Sequence, residues 1–271
     1  MNISKQTVTR LKHNYGDWVL ITGATSGIGK EMALKFGEGG FNLVITGRRE
    51  SLLNELATKL FNEHQVEVIP ILGDLSKAEA VETLLAETAH LPIGIAILNA
   101  GFGTSGKLID ANIEQEINML HLNCRSVLQL AHHFGGRFRD QNRKGVIMFL
   151  SSIVAFQGVP NAANYAATKA YVQTLGEALA LELKPLGIDV LCAAPGPVDS
   201  GFASRANMQM NMSLSPADVA VPMINAIGKK TTVLPGFLTK LLVYNLRMVP
   251  RWAKVRIMGN VMGGFTKHQI S

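Results

Sequence analysis

The 271 residues are 47% hydrophobic and 17% charged, enough to bury a substantial core in one large α/β domain, and no Pro/Ser-rich linker, repeat or low-complexity segment divides them. The start, MNISKQTVTRLKHNYGDW, lacks the apolar core of a secretory signal, and Lys240, Arg247 and Pro250 interrupt the tail before it reaches the roughly 18 apolar residues of a membrane span. The net charge of +6 sits in the tail, because residues 219–271 hold eight Lys/Arg and no Asp or Glu.

Short β-rich runs alternate with helical periodicity along the chain. Strands are predicted at 18–22, 41–46, 66–72, 95–98, 145–150, 188–193 and 231–234, and helices over 27–38, 50–63, 76–89, 111–138, 162–184 and 216–228. Right-handed crossovers turn such alternation into a doubly wound parallel sheet of about seven strands, Rossmann-like, with helices on both faces. The expected organisation is one domain over 1–271, its core at about 18–234 and a C-terminal apolar and basic helical extension at about 235–271. Ligands then sit at the carboxyl ends of the strands. Cys124 and Cys192 form no C-x-x-C pair and read as buried thiols of a reducing, cytoplasmic setting; no metal site is expected.

The first six predicted strands each end in a motif. The first runs into Thr22-Gly23-Ala24-Thr25-Ser26-Gly27-Ile28-Gly29, whose glycines allow a tight turn and a close approach of backbone to a pyrophosphate at a helix N-terminus. Its G-x-x-x-G-x-G spacing departs from G-x-G-x-x-G. The second ends Gly47-Arg48-Arg49, where an NAD site would place a carboxylate on the ribose; Arg48 suits a 2′-phosphate, so NADP(H) is favoured, while Arg49 more readily faces solvent. Asp74-Leu75 follows the third strand, at an adenine edge or simply as a helix cap. Asn99-Ala100-Gly101 follows the fourth, Ser151-Ser152 the fifth, and Pro195-Gly196-Pro197-Val198-Asp199-Ser200 the sixth. Tyr165 and Lys169 lie one helical turn apart, thirteen residues beyond Ser152, so the ammonium is placed to stabilise the phenolate and lower the pKa of the phenol.

In this order the motifs resemble those of the short-chain dehydrogenase/reductase family, over about 18–234, with the entry YGDWVLITGAT and the long tail resembling its ketoacyl and ketosteroid reductases. The resemblance implies Tyr165 as catalytic acid/base, Lys169 as its modulator and a ribose ligand, Ser152 orienting the carbonyl, and Asn123 as fourth member of the site. It further implies cofactor contacts from the residues just named, including Val198 and Ser200, the latter standing where many members have Thr. Leu98 replaces the first Asn of the family's N-N-A-G.

The implied activity is NADP(H)-dependent interconversion of a carbonyl and an alcohol; a catalytically silent cofactor-binding regulator is the alternative. A lipophilic substrate, such as a 3-ketoacyl chain or a steroid-like ketone, fits the loop at 201–213 with Met208, Met210 and Met212, and walls expected from Phe102 and Phe156. Helices 111–138 and 162–184 could pair two copies, as in many relatives, giving a homo-oligomer, a dimer or tetramer. The tail, divided at Pro250, is expected to border the substrate entrance and to meet an anionic membrane surface or an acidic carrier. No nucleic-acid module or basic–aromatic array accompanies its charge.

Overall fold

Seven parallel strands form the centre of the computed structural model, which describes residues 2–210 and 213–269 and so leaves Met212 outside the described residues. They are β1 (Trp18–Thr22), β2 (Asn42–Gly47), β3 (Val68–Leu72), β4 (Ile93–Leu98), β5 (Gly145–Leu150), β6 (Ile188–Ala193) and β7 (Thr232–Val233), ordered β3-β2-β1-β4-β5-β6-β7. Helices α1 (Lys5–Tyr15), α2 (Gly27–Glu38), α3 (Glu50–His64), α4 (Ala78–Glu87), α5 (Ile113–Leu120), α6 (Ser126–Asp140), α7 (Ala163–Glu182), α8 (Phe202–Arg205), α9 (Pro216–Ala226), α10 (Phe237–Arg247) and α11 (Arg251–Phe265) complete the chain. The strand order reverses between β1 and β4, whose carboxyl ends open a crevice for ligand.

Successive strand side chains point to opposite faces, and both faces are covered, so the central strands are apolar throughout. Val19, Ile21, Ile95, Ile97 and Met148 pack with Met32 and Phe36 of α2 and Ile224 of α9. Leu20, Ala96, Ile147 and Phe149 pack on the other face with Leu84 of α4, Phe134 of α6 and Val172 of α7.

The single helix expected over 111–138 is interrupted. Between α5 and α6, His121–Arg125 forms a π turn in which Ser126 N donates to His121 O. Its cause is Asn123, which is buried and wired outside its own helix: Nδ2 donates to Phe102 O at 2.8 Å and to Thr168 Oγ1 at 3.0 Å, and Oδ1 accepts from Phe102 N at 3.1 Å. Widening the turn by one residue accommodates that reach, and such bulges recur at functional sites.

Sequence periodicity assigns no element before residue 18, yet α1 is present. Ser4 caps it by accepting from Thr7 N, and Thr7, Leu11 and Tyr15, four residues apart, face inward. Polar contacts then fasten it across the sheet's amino end. Thr7 Oγ1 donates to Asn225 Oδ1 at 2.9 Å, Arg10 Nη1 to Ile227 O at 2.6 Å, and Tyr15 Oη to Asp189 Oδ2 at 2.6 Å. Burial, with the Asp189 carboxylate beside it, holds the Tyr15 phenol well above its ordinary value.

Gly94 at the start of β4 makes room for this arrangement, because a Cβ there would fall inside the carbonyl group of Tyr15. Gly94→Ala is therefore expected to cost about 3 kcal/mol, the upper range for overpacking. That corresponds to a melting temperature lowered by roughly 6–12 °C in calorimetry. Gly136→Ala on α6, where a Cβ meets nothing within 4 Å, is the control and leaves the melting temperature the same or slightly higher.

Candidate active site

The crevice at the β1/β4 switch point deepens into a cavity of about 560 Å³. One wall is the turn from β1 into α2, where Gly23 (φ +70°) and Gly27 (φ +57°) take backbone conformations that other residues resist. A Cβ on Gly27 would stand 2.6 Å from Ser200 Cβ, so only glycine lets the two loops meet there. Gly23, Thr25, Ser26, Gly27 and Ile28 line the cavity beside the N-terminus of α2, whose free N–H groups and dipole favour an anion.

Thr22 and Gly29 lie behind this wall. Thr22 Oγ1 accepts from the backbone N–H of Asn99 at 3.0 Å and of Ala100 at 2.9 Å, while Asn99 Nδ2 donates to Thr22 O at 2.8 Å. The carboxyl ends of β1 and β4 are thereby latched together, leaving Asn99, Ala100 and Gly101 in the cavity wall.

At one end of the cavity, Arg48 and Arg49 stand with Gly73, Asp74 and Leu75. Arg49 is not directed simply to solvent as expected: its Nη2 donates to Thr25 Oγ1 at 2.7 Å and ties the arginine to the glycine-rich turn. Arg48 is half exposed, its Nη1 3.9 Å from Asp74 Oδ2. The other Asp74 oxygen accepts from Ser76 N at 3.1 Å in a local turn; it does not cap the helix as expected, because α4 starts after Lys77 with no side-chain cap. A third guanidinium, Arg205 of α8, lines the same cavity without belonging to any motif of the sequence. Burial, then the charges of Arg49 and Arg48, draw its pKa down. This is the setting a phosphate dianion would relieve.

At the cavity's centre, Ser152, Tyr165 and Lys169 come together from the end of β5 and the first turns of α7. Ser152 Oγ accepts from Val154 N at 3.4 Å and stands beside the Tyr165 side chain, and Lys169 Nζ donates to Leu150 O at 2.7 Å. The expectation that Lys169 lowers the Tyr165 pKa is not met in this arrangement. Burial pushes the phenol up to about 12, opposed by the neighbouring Ser152 hydroxyl, and the ammonium lies 6.0 Å from the ring centroid. Burial instead brings Lys169 down to about 8. Asn123 does not line the cavity; it braces Phe102 and Thr168 behind it. Pro195, Gly196, Val198 and Ser200 form the wall after β6, with Ser200 Oγ donating to Val198 O at 3.2 Å.

The remaining wall is apolar, but its source differs from expectation. Phe102 and Phe156 pack elsewhere, against the cores under the site, and neither lines the cavity. The lining comes from Phe202 of α8, Met208 and Met210, Leu242, Val243 and Leu246 of α10, and Met258, Met262 and Phe265 of α11. Phe202 sits against Tyr165, ring centroids 5.2 Å apart, which keeps water from one side of the phenol. The tail thus completes the cavity over elements remote in sequence. Among the described residues, no group of His, Cys, Asp and Glu could hold a metal ion.

Comparison with known proteins agrees with this construction. A family model described as short chain dehydrogenase matches residues 17–211. A 7beta-hydroxysteroid dehydrogenase of Collinsella aerofaciens is 31% identical over 233 residues, covering 83% of this chain and 88% of that protein. A solved structure of a 7beta-hydroxysteroid dehydrogenase is similar with a TM-score of 0.84 at 30% identity, over 92% of this chain and 98% of the other. A short-chain dehydrogenase from Sphingobium yanoikuyae, solved in complex with NADPH, has a TM-score of 0.77 at 27% identity, over 85% and 93% of the two chains. The match runs from the glycine-rich turn through the Tyr165 helix and past β6, well over half of the sequence, and the similarity in fold continues into the tail. The chain belongs to the short chain dehydrogenase family, and it is an oxidoreductase that interconverts a carbonyl and an alcohol with a nicotinamide dinucleotide.

Proposed function

We propose that the protein is an NADP(H)-dependent reductase of a bulky, steroid-like ketone. The observation that carries this reading is the division of one cavity into a guanidinium-rich end and an apolar end, with Ser152 and Tyr165 between them. The relatives' 7beta-hydroxysteroid dehydrogenase activity supports the substrate class, and the NADPH complex of a similar structure supports the cofactor.

The residues fit a dinucleotide: the positive-φ glycines keep side chains out of the cradle beside α2, and Arg48, Arg49 and Arg205 surround the place for a 2′-phosphate. When bound, the nicotinamide exchanges hydride with the carbonyl carbon. Ser152 Oγ and Tyr165 Oη, both in the cavity wall, converge on the carbonyl oxygen, and Tyr165 gives its proton there. A phenol held near 12 is in its proton-donating form throughout the physiological range, which suits reduction. Lys169 keeps a positive charge close by, fixed by the Leu150 carbonyl.

That charge sets a pH limit. Lys169 is protonated below about 8 and neutral above, while Tyr165 stays protonated up to about 12. Reduction is expected to slow as pH rises through about 8, with no second limb until the phenol ionises. A kcat/KM profile from pH 6 to 10 measures this, and a flat profile would remove Lys169 from the proposed chemistry.

The reading as a whole is tested by the loss of NADPH absorbance with a panel of ketones from acetone to polycyclic steroid ketones. Bulky members are expected to turn over with the higher kcat/KM, and NADH to serve poorly. Stoichiometric NADPH binding with no turnover across the panel would favour the silent regulator. Exposed Ile113, Ile117 and Leu120 on α5, Leu128 on α6, and Tyr171 and Leu181 on α7 support a homo-oligomer built on these helices. Light-scattering mass of at least two chains is the expected result.

A further inference from the structure

The two tail helices carry apolar side chains on opposite faces. On α10, Val243 is buried and Leu242 and Leu246 line the cavity, whereas Phe237, Leu241, Tyr244 and Met248 are exposed. Those four recur at the spacing of one helical stripe, and Phe237 and Met248 are 80% and 88% exposed. On α11, Met258 and Met262 are buried inward, while Trp252 is 65% exposed and Ile257 and Val261 also reach the surface. The cavity accounts for the inner faces and leaves the outer stripes unused.

Charge identifies what would cover them. Lys240, Arg247, Arg251 and Arg256 are exposed on the same helices, and residues 219–271 contain no carboxylate side chain. The Arg247 guanidinium lies over the Tyr244 ring at 5.2 Å and that of Arg256 over Trp252 at 5.3 Å, so cation and aromatic are presented together. A second copy of this surface would set cations against cations. An anionic bilayer satisfies both features at once, because Trp and Tyr settle at the headgroup level, Phe, Leu and Met enter the acyl boundary, and Arg and Lys meet lipid phosphates. No helix among the described residues is long and apolar enough to cross a membrane, so the contact would be peripheral. Val261 is both exposed and part of the cavity lining, which places the mouth of the cavity at this surface.

We propose that the outer faces of α10 and α11 dock on an anionic lipid surface and open the substrate cavity toward it. The docking stands on the surface alone; the entry of a lipophilic ketone from the bilayer rests on the reductase reading above.

Flotation of the full chain with vesicles of phosphatidylcholine, with and without phosphatidylglycerol, tests the contact at low and moderate salt. Binding is expected only with phosphatidylglycerol, weakening with salt. An Arg247→Glu/Arg251→Glu/Arg256→Glu variant should lose on the order of a hundredfold in affinity. A Phe237→Ser/Met248→Ser/Trp252→Ser variant should also fail to float, and both should keep the wild-type melting temperature and NADPH affinity. No binding of the wild type, equal binding of all three proteins, or binding only to an acidic protein carrier would each overturn the proposal. So would a fall in light-scattering mass in the variants without vesicle binding by the wild type, since a second copy would then own the face. Loss of the reductase reading would leave the flotation result unchanged, so the two failures are distinguishable.

Discussion

Tyr165→Phe is expected to lower kcat by roughly 10²–10⁴-fold, the range for losing a positioned acid or base, while NADPH affinity stays within a few-fold. The ring remains, keeping its packing on Phe202 and its place beside Lys169; only the hydroxyl in the cavity wall beside Ser152 is removed. Single-turnover kinetics with a ketone substrate, beside a fluorescence titration of NADPH, separates the two effects. A variant as active as wild type would place the proton donor elsewhere. Loss of cofactor affinity in the same proportion as kcat would make the tyrosine a structural element of the cavity.

Arg48→Ala should reduce NADPH affinity roughly 10- to 150-fold, the equivalent of a charge-assisted phosphate contact of about 1.5–3 kcal/mol, with little change for NADH. Arg49 and Arg205 should behave differently from each other. Arg49 also holds Thr25, so Arg49→Ala should weaken both cofactors through the glycine-rich turn. Among the described residues, Arg205 bonds only within its own turn, Nε donating to Gly201 O at 3.4 Å, and not to the glycine-rich turn, so its removal should raise the dissociation constant for NADPH alone. Equal losses of NADH and NADPH in the Arg48 variant would assign that residue to the fold.

The parts of the site legible in sequence are those that local geometry fixes. A glycine-rich turn after a buried strand, and a tyrosine and lysine one helical turn apart, keep their relation wherever the elements go. What sequence did not give depends on distant partners. The π turn at Asn123 answers to Phe102 and Thr168, and α1 is too polar to announce itself before Asn225, Ile227 and Asp189 are in place. Arg205 and the α10–α11 lining reach the cavity only through the path of the chain after β6. The direction of the Tyr165 shift was misread for a related reason: charge spacing shows in a sequence, whereas the burial that outweighs it does not.

The fastening of α1 also sets an order of events during synthesis. Thr7, Arg10 and Tyr15 are made well before their partners, which lie 218, 217 and 174 positions later. Until Asp189, Asn225 and Ile227 leave the ribosome, the helix has only its nearer contacts, such as Lys12 Nζ donating to Gly40 O at 2.6 Å, and a polar segment of this length is marginal alone in water. Its full docking therefore comes late on the nascent chain, joining residues ahead of β1 to those just before β7, and it reports that β6 is in place beneath it.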